Sequence, residues 1–312
     1  MLWQITYSCT ILEWLALLYL PVWYILFRLV SFLPACVWFC GVNMTLDKAG
    51  KEYWDRLWVN RSLPRAVDPG NLSLDNYPNA QFHAFFMRLF SGLGKETRLL
   101  EIGCAGSEWL PYFKKQFGFE IDGLDYSEIG CEQARAVLEA EQVDGKIILA
   151  DFFNPPVEML GQYDVVVSFG VMEHFQDTVS AVRAAASLVK PGGMLVTVIP
   201  NVAGLNGHIQ KFLSRSILDK HVPLTRQGLE AAHVGAGLDV FFSNYFLSTN
   251  FGVLNVSDVQ KNKMLKTQIH LFLTRISKLA WTFEKHVLRL PVLPYFAPYI
   301  ICAGRKNSRG VE

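Results

Sequence analysis

The stretch Leu99-Leu100-Glu101-Ile102-Gly103-Cys104-Ala105-Gly106-Ser107 decides the fold. Its apolar start is typical of a buried strand, and the small residues that follow predict a turn before a helix beginning near Glu108. Small residues let the backbone approach a ligand, and the free N–H groups of a helix start favour an anion. The turn therefore indicates a site for a nucleotide or an amino-acid carboxylate. A nicotinamide cofactor would require GxGxxG, which Ala105 breaks.

Apolar runs alternate with helical patterns along the chain that follows. Strands are predicted over residues 98–102, 119–125, 146–151, 163–169 and 194–200. Helices are predicted between them, for example over 127–142 and 178–190. A helix over 225–237 and strands over 239–246 and 299–305 complete the pattern. This alternation predicts an α/β fold with a mostly parallel sheet and helices on both faces.

Acidic residues stand where the second and third predicted strands end. Asp125 lies in Gly123-Leu124-Asp125-Tyr126-Ser127, and Asp151 is followed by Phe152. Ligands of such sheets bind beyond the carboxyl ends of the strands. A carboxylate at the first position can accept two hydrogen bonds from a ribose diol. The second carboxylate can accept from the exocyclic amine of adenine, beside the aromatic ring.

These motifs resemble those of the class I S-adenosylmethionine-dependent methyltransferases. The resemblance rests on five segments in order, at residues 101–106, 123–127, 151–152, 163–174 and 188–193. It covers residues 95–202 firmly and 203–306 loosely. It implies a Rossmann-like seven-stranded sheet whose last strand is antiparallel, with S-adenosylmethionine bound across the strand ends.

The resemblance also implies roles for individual residues. Glu101 and Gly103 would border the methionine part of the cofactor, and Asp125 would hold the ribose. The predicted cofactor-binding residues are Glu101, Gly103, Cys104, Ala105, Gly106, Asp125, Tyr126, Ser127, Asp151, Phe152, Ser168, Phe169 and Gly170. Ala105 and Ser107 stand where the family has its second and third turn glycines. Alanine is tolerated there if its φ angle is negative.

Methyl transfer from a sulfonium needs mainly alignment of the acceptor and exclusion of water, with a base for some acceptors. The candidate catalytic residues are His174, His221 and Glu173. The alternative is that each histidine is a loop residue bonded to the backbone and that Glu173 is a structural acceptor. No spacing of ligating residues indicates a metal site, so none is predicted.

An aromatic cluster at Tyr53, Trp54 and Trp58 lies upstream of the predicted fold. It has two interpretations, the packing of an N-terminal helix or a cap over the cofactor. Aromatic faces attract a cation such as a sulfonium.

Residues 1–43 form a hydrophobic N-terminal segment, which contains two charged residues, Glu13 and Arg28. Such a segment predicts a hydrophobic helix that anchors the chain in a membrane, either spanning it or lying at its interface. Basic residues after the segment favour a cytoplasmic position for the domain over residues 44–312. The alternative is a misassigned start, with Met44 as the initiator.

The net charge, the cysteines and one amphipathic stretch further limit the classes of partner that the sequence indicates. The net charge is +1 and no basic stripe occurs, so a nucleic-acid partner is not expected. The six cysteines are scattered, which is typical of reduced thiols. An amphipathic insert at about 261–290 predicts a helix packed on the domain, a lid over the active site, or a second membrane contact.

The leading interpretation is a methyltransferase for a small-molecule or lipid-like acceptor. The alternative is a non-catalytic module that binds S-adenosylmethionine. The oligomeric state is left open.

Overall fold

A computed structural model describes residues 47–59, 61–256 and 262–308 of the chain. The predicted anchor at 1–43 and the alternative start at Met44 lie outside the described residues, so both stay predictions. Within the described ranges, no helix has the length and apolar character needed to cross a bilayer.

Seven strands form one sheet in the order β3-β2-β1-β4-β5-β7-β6. Strands β1 to β5 are parallel, whereas β7 runs antiparallel to both β5 and β6. The predicted sheet with its antiparallel last strand is therefore confirmed. The strands are β1 Arg98–Ile102, β2 Glu120–Asp125, β3 Lys146–Leu149, β4 Tyr163–Phe169, β5 Val189–Pro200, β6 Leu238–Phe246 and β7 Tyr299–Lys306.

Helices cover both faces of this sheet. They are α1 Lys51–Val59, α2 Tyr77–Leu89, α3 Trp109–Phe117, α4 Glu128–Ala140, α5 Thr178–Leu188, α6 Leu205–Leu213, α7 Arg215–Leu218, α8 Arg226–Gly235 and α9 Lys263–His286. Neighbouring β1 residues point to opposite faces, so Leu99 packs with residues of α2, α3 and α4, while Leu100 packs with residues of α5 and α8. The two cores explain why these central strands read as continuous apolar runs.

Several element boundaries differ from the predictions by one to five residues. Helix α5 ends at Leu188 rather than at 190, because Pro191 lacks an N–H and disfavours helical geometry at Lys190. Strand β5 therefore begins at Val189, earlier than the predicted 194. Strand β3 ends at Leu149, two residues before Asp151. The predicted insert is α9, which spans most of the expected range.

Candidate functional site

A cavity of about 340 Å³ opens at the carboxyl ends of β1, β2 and β4. Ten of the predicted cofactor-binding and catalytic residues lie in its wall: Glu101, Gly103, Ala105, Gly106, Asp125, Tyr126, Phe152, Phe169, Gly170 and His174. Its volume is within the range of small-molecule sites. The fold thus brings strand ends that are far apart in sequence to one place.

The turn after β1 takes a shape that requires glycine at two positions. Gly103 has φ +74°, and a Cβ there would lie 2.6 Å from Cγ2 of Val171. Gly106 has φ +58°, and a Cβ there would lie 3.1 Å from the ring of Trp58. Ala105 has a negative φ, so the alanine at this position is unstrained. The backbone can therefore approach a ligand closely at this turn.

Ser107 has a structural role in place of the usual third glycine. Its hydroxyl donates to Oε2 of Glu101 at 2.6 Å. Oγ of Ser107 also accepts hydrogen bonds from the backbone N–H groups of Trp109 and Leu110, at 3.0 and 3.1 Å, and so caps the start of α3. Burial raises the pKa of Glu101 to about 8. The acid at the end of β1 is therefore positioned by the helix cap and is largely protonated at neutral pH when no cation is bound.

Asp125 holds the turn after β1 from the neighbouring strand. Its Oδ2 accepts the N–H of Ala105 at 3.1 Å, and its Oδ1 accepts the N–H of Ser127 at 2.8 Å. Burial raises its pKa to about 6, against the opposing effect of these backbone hydrogen bonds. Each carboxylate oxygen keeps a second lone pair for a ligand hydroxyl.

Four of the predicted cofactor residues do not line the cavity. Cys104 and Ser168 are buried behind the wall. The hydroxyl of Ser127 caps α4 by accepting the N–H of Gly130 at 3.0 Å. Asp151 is exposed, and its Oδ1 accepts the N–H of Phe153 at 2.9 Å, so it caps its own turn. The strand-end pattern identified the neighbourhood of these residues but not the direction of their side chains.

The N-terminal part of the described chain covers this site. Trp54 and Trp58 of α1 lie in the cavity wall, with stacked rings 6.3 Å apart. Helix α1 contains no buried residue, so it is not packed as a core element. Of the two interpretations of this aromatic cluster, the geometry favours a cap over the cofactor site. We call residues 47–59 the cover.

Hydrogen bonds fasten the cover to the sheet. Asp47 accepts the hydroxyl of Tyr126 at 2.7 Å, and Asp55 accepts the hydroxyl of Ser127 at 2.5 Å. The backbone N–H of Lys48 donates to the carbonyl of His174 at 2.9 Å. Asp47 and Arg61 also lie in the cavity wall, with Arg61 over the ring of Trp58, although neither stands in a motif of the sequence. A basic or acidic residue upstream of the motifs carries no periodic signal that would have singled it out.

His174 lies in the cavity wall, in the short helical turn Met172–His174 that follows β4. Its Nδ1 lies 2.8 Å from the carbonyl of Lys220, so we assign the proton to Nδ1 and the free lone pair to Nε2. Its ring meets that of Trp54 edge to face, with centroids 5.1 Å apart. Burial lowers the pKa of His174 to about 4. The imidazole is therefore neutral at physiological pH.

His221 and Glu173 lie beside His174 but outside the wall. The His221 ring is 4.6 Å from that of His174, and its Nδ1 lies 2.9 Å from the carbonyl of Ile217. Burial lowers its pKa. Glu173 is fully buried, which raises its pKa to about 8, and in the described part of the chain its Oε2 has no hydrogen-bond partner.

These three side chains offer ligand atoms that lie within 4.8 Å of one another. In the described ranges they are the group of three that could hold a metal ion. The spacing of residues in the sequence indicated no such group, because His221 is brought in from a distant loop.

Comparison with known proteins gives a family match and several partial relatives. Residues 75–286 match a family described as a methyltransferase domain. A ubiquinone biosynthesis O-methyltransferase of Acinetobacter baylyi is 35% identical over 101 residues, which are 31% of this chain and 40% of the relative. One of Vibrio parahaemolyticus is 32% identical over 118 residues, 37% of this chain and 47% of the relative. The chain thus matches less than half the length of these curated relatives.

Solved structures share the fold at low sequence identity. Geranyl diphosphate C-methyltransferase of Streptomyces coelicolor A3(2) has a TM-score of 0.54 and 12% identity, over 82% of this chain and 97% of that one. The cyclase SpnF also has a TM-score of 0.54, with 14% identity over 84% of this chain and 96% of that one. At such identities the likeness concerns the fold alone.

Proposed function

Since the chain belongs to the class I S-adenosylmethionine-dependent methyltransferases, we propose that it transfers a methyl group from S-adenosylmethionine to a small, lipid-like acceptor. S-adenosylmethionine is the methyl donor of this family. The observation that carries the proposal is the cavity itself, where a glycine turn, two buried acids and an aromatic cover meet at the carboxyl ends of the strands.

The residues in the wall fit this cofactor. At Gly103, which lies in the cavity wall, a Cβ would clash with Val171, so glycine is required there and leaves the backbone of the turn uncovered by a side chain. Asp125 would accept from the ribose hydroxyls and Glu101 would border the cationic methionine part. Tyr126 and Phe152 would flank the adenine. Trp54 and Trp58 would turn aromatic faces toward the sulfonium.

The bound cofactor supplies an electrophilic methyl group on a sulfonium. The chain aligns the acceptor and excludes water, which is the role we assign to α1 and its two tryptophans. His174 would accept the proton of an acceptor hydroxyl through Nε2, the unprotonated nitrogen of a neutral ring that lies in the cavity wall. This nitrogen lies 3.9 Å from Oε1 of the buried Glu173. We give Glu173 and His221 positioning roles, because neither lies in the wall.

The lipid-like character of the acceptor rests on three supports. The walls of the cavity are rich in aromatic side chains. The curated relatives are named as ubiquinone biosynthesis O-methyltransferases. The hydrophobic composition of residues 1–43 also favours a position of the chain at a membrane, with the domain on the cytoplasmic side.

We test the proposal by incubating the full chain with S-adenosylmethionine labelled in its methyl group and an extract of cell membranes. We expect label to appear in an organic-soluble product, and the product to disappear in the His174→Ala variant. Binding of the cofactor without any labelled product would instead favour a non-catalytic module of the same fold.

The pH dependence of cofactor affinity provides a test of Glu101. With a pKa of about 8 in the empty site, Glu101 must lose its proton to pair with a cation. Its contribution to affinity therefore increases as the pH rises from 6 to 8, by at most about tenfold per pH unit. Above pH 8 the contribution is constant. Calorimetric titration at several pH values should show a shallower slope in Glu101→Gln than in the native chain.

The titratable groups of the cofactor are the same in experiments with the native chain and with Glu101→Gln. The difference between the two slopes therefore reports the proton of Glu101. Glu158→Gln, at an exposed position outside the wall, is the matched control and should keep the native slope. Equal slopes in the native chain and Glu101→Gln would refute the role of this acid.

A further inference from the structure

Helix α9 carries apolar residues on two faces, of which only one is packed on the domain. On the inner face, Ser277 and Trp281 are buried, and Ile269 and Leu273 pack against a small cluster around Phe251. Apolar side chains remain exposed on the outer face: Met264, Leu265, Leu271, Phe272, Ile276, Leu279 and Phe283. An amphipathic helix packed on a domain needs only the inner set.

The outer residues form one continuous stripe, because Leu265, Phe272, Ile276, Leu279 and Phe283 recur at intervals of three, four and seven. Their exposure is high, at 61% for Phe272 and 70% for Leu279. Single exposed apolar residues are ordinary, but a contiguous set marks an interaction surface. We call these five residues the outer stripe.

The segment that follows α9 extends the exposed apolar surface. Its exposed residues are Val287, Leu288, Val292, Leu293, Tyr295 and Phe296. Hydrogen bonds hold its end in place: the side chain of Asn201 donates to the carbonyls of Pro294 and Ala297, at 2.8 and 2.9 Å. Asn201 directly follows β5, so this end of the surface lies at the carboxyl edge of the parallel strands, the same edge where the cavity opens.

Charge identifies the partner of this surface. Residues 262–296 contain six basic residues and one acidic residue, Glu284, within a chain whose net charge is +1. Lys278 pairs with Asp75 of the domain, and Lys266 and Lys285 donate to the backbone carbonyls of Leu213 and Leu72. The other three basic residues, Lys263, Arg275 and Arg289, are exposed and can meet a partner. Two copies of the chain facing each other here would repel, whereas anionic lipid head groups would be attracted. Apolar side chains beside Lys and Arg are typical of helices that lie in a membrane interface.

We propose that the outer stripe of α9 docks on an anionic lipid surface, with its apolar side chains inserted among the acyl chains and the exposed Lys263, Arg275 and Arg289 among the head groups. This contact would present the carboxyl edge of the sheet to the bilayer. It does not depend on the identity of the methyl acceptor.

The test is co-sedimentation of the full chain with vesicles of phosphatidylcholine alone or mixed with phosphatidylserine. We expect binding to the mixed vesicles, weakened by added salt. The Phe272→Asp/Leu279→Asp variant should bind at least about tenfold less, because two inserted apolar side chains are lost. Phe272→Ser/Leu279→Ser should weaken binding in the same direction without a change of charge.

The matched control is Val157→Asp/Val234→Asp, which adds the same charge at exposed apolar positions outside the stripe and should bind as the native chain does. Circular dichroism and calorimetry with S-adenosylmethionine confirm that each variant is folded. The calorimetry also separates a failure of the docking proposal from a failure of the proposed function, because it measures cofactor binding without vesicles.

Equal binding of the native chain and the Phe272→Asp/Leu279→Asp variant would overturn the proposal, because another part of the chain would then hold the vesicle. Absence of binding by the native chain would overturn it as well. Light scattering that shows a dimer dissociated by the same substitutions, with vesicle binding unchanged, would identify a second copy as the partner instead.

Discussion

Replacing Asp125 with alanine is expected to raise the Kd for S-adenosylmethionine about 100-fold or more. The carboxylate lies in the cavity wall, is almost fully buried, and has a free lone pair on each oxygen. Two charge-assisted hydrogen bonds to a ribose diol contribute about 3 kcal/mol together, which corresponds to about two orders of magnitude in Kd. Isothermal titration calorimetry measures the change directly.

The Asp125→Ala substitution also removes hydrogen bonds within the empty protein. Without the carboxylate, the N–H groups of Ala105 and Ser127 lose their acceptor, and the turn after β1 is less well oriented. Asp125→Asn retains one carbonyl acceptor and the side-chain shape, so we expect it to lie between the native chain and Asp125→Ala. Thermal unfolding distinguishes the two effects, since the loss of the ribose contact alone leaves the empty protein's Tm unchanged.

Asp239→Ala is the matched control, because Asp239 is exposed at the start of β6 and lies outside the cavity wall. Its Kd should remain within about twofold of the native value. A native Kd in Asp125→Ala, with the fold intact, would remove the basis for placing the ribose at the end of β2.

The part of the site that is formed by residues close together in the sequence could be predicted from the sequence. The strand at 98–102, the glycine turn and Asp125 lie within short segments whose geometry follows from residue type, and each takes the expected place. The parallel direction of β1 to β5 follows from the βαβ pattern for the same reason.

The cover and the histidine cluster could not be predicted in this way. The bond between Tyr126 and Asp47 joins residues 79 positions apart, and His174 is oriented by Lys220, which lies 46 positions away. Such contacts depend on how loops cross the sheet edge and leave no periodic signal. Ser107 is a related case, since the sequence marks it as a departure from the family pattern, whereas the structure gives its hydroxyl three hydrogen bonds.

His174→Ala is expected to lower kcat by a factor of about 100 to 10,000, the range found when a general base is removed. The Kd for S-adenosylmethionine should change only a few-fold, because the cofactor's proposed contacts come from α1, from the ends of β1 and β2 and from the residues after β3, and none of them is made by His174. The rate is measured with the acceptor that the membrane-extract experiment identifies.

His208→Ala controls for the loss of a histidine. Nδ1 of His208 also lies near a backbone carbonyl, that of Gly204 at 3.0 Å, but the side chain is not in the cavity wall. Its kcat should be close to native. Glu173→Gln should also retain most of the activity, because burial raises the pKa of Glu173 to about 8 and the native side chain is mostly neutral at pH 7.

The pH profile separates a base from a structural histidine. A base acts in its unprotonated form, and burial lowers the pKa of His174 to about 4, so the form with a free Nε2 predominates throughout pH 6 to 8. The ratio of native to His174→Ala rates should therefore be constant over this range and decrease only as the pH falls toward 4. A ratio that instead falls near pH 6.5 would mean that the imidazole titrates as a solvated histidine, contrary to the burial of His174 beside Trp54. A ratio near one at every pH would show that His174 only shapes the wall, and the acceptor would then have to lose its proton to water.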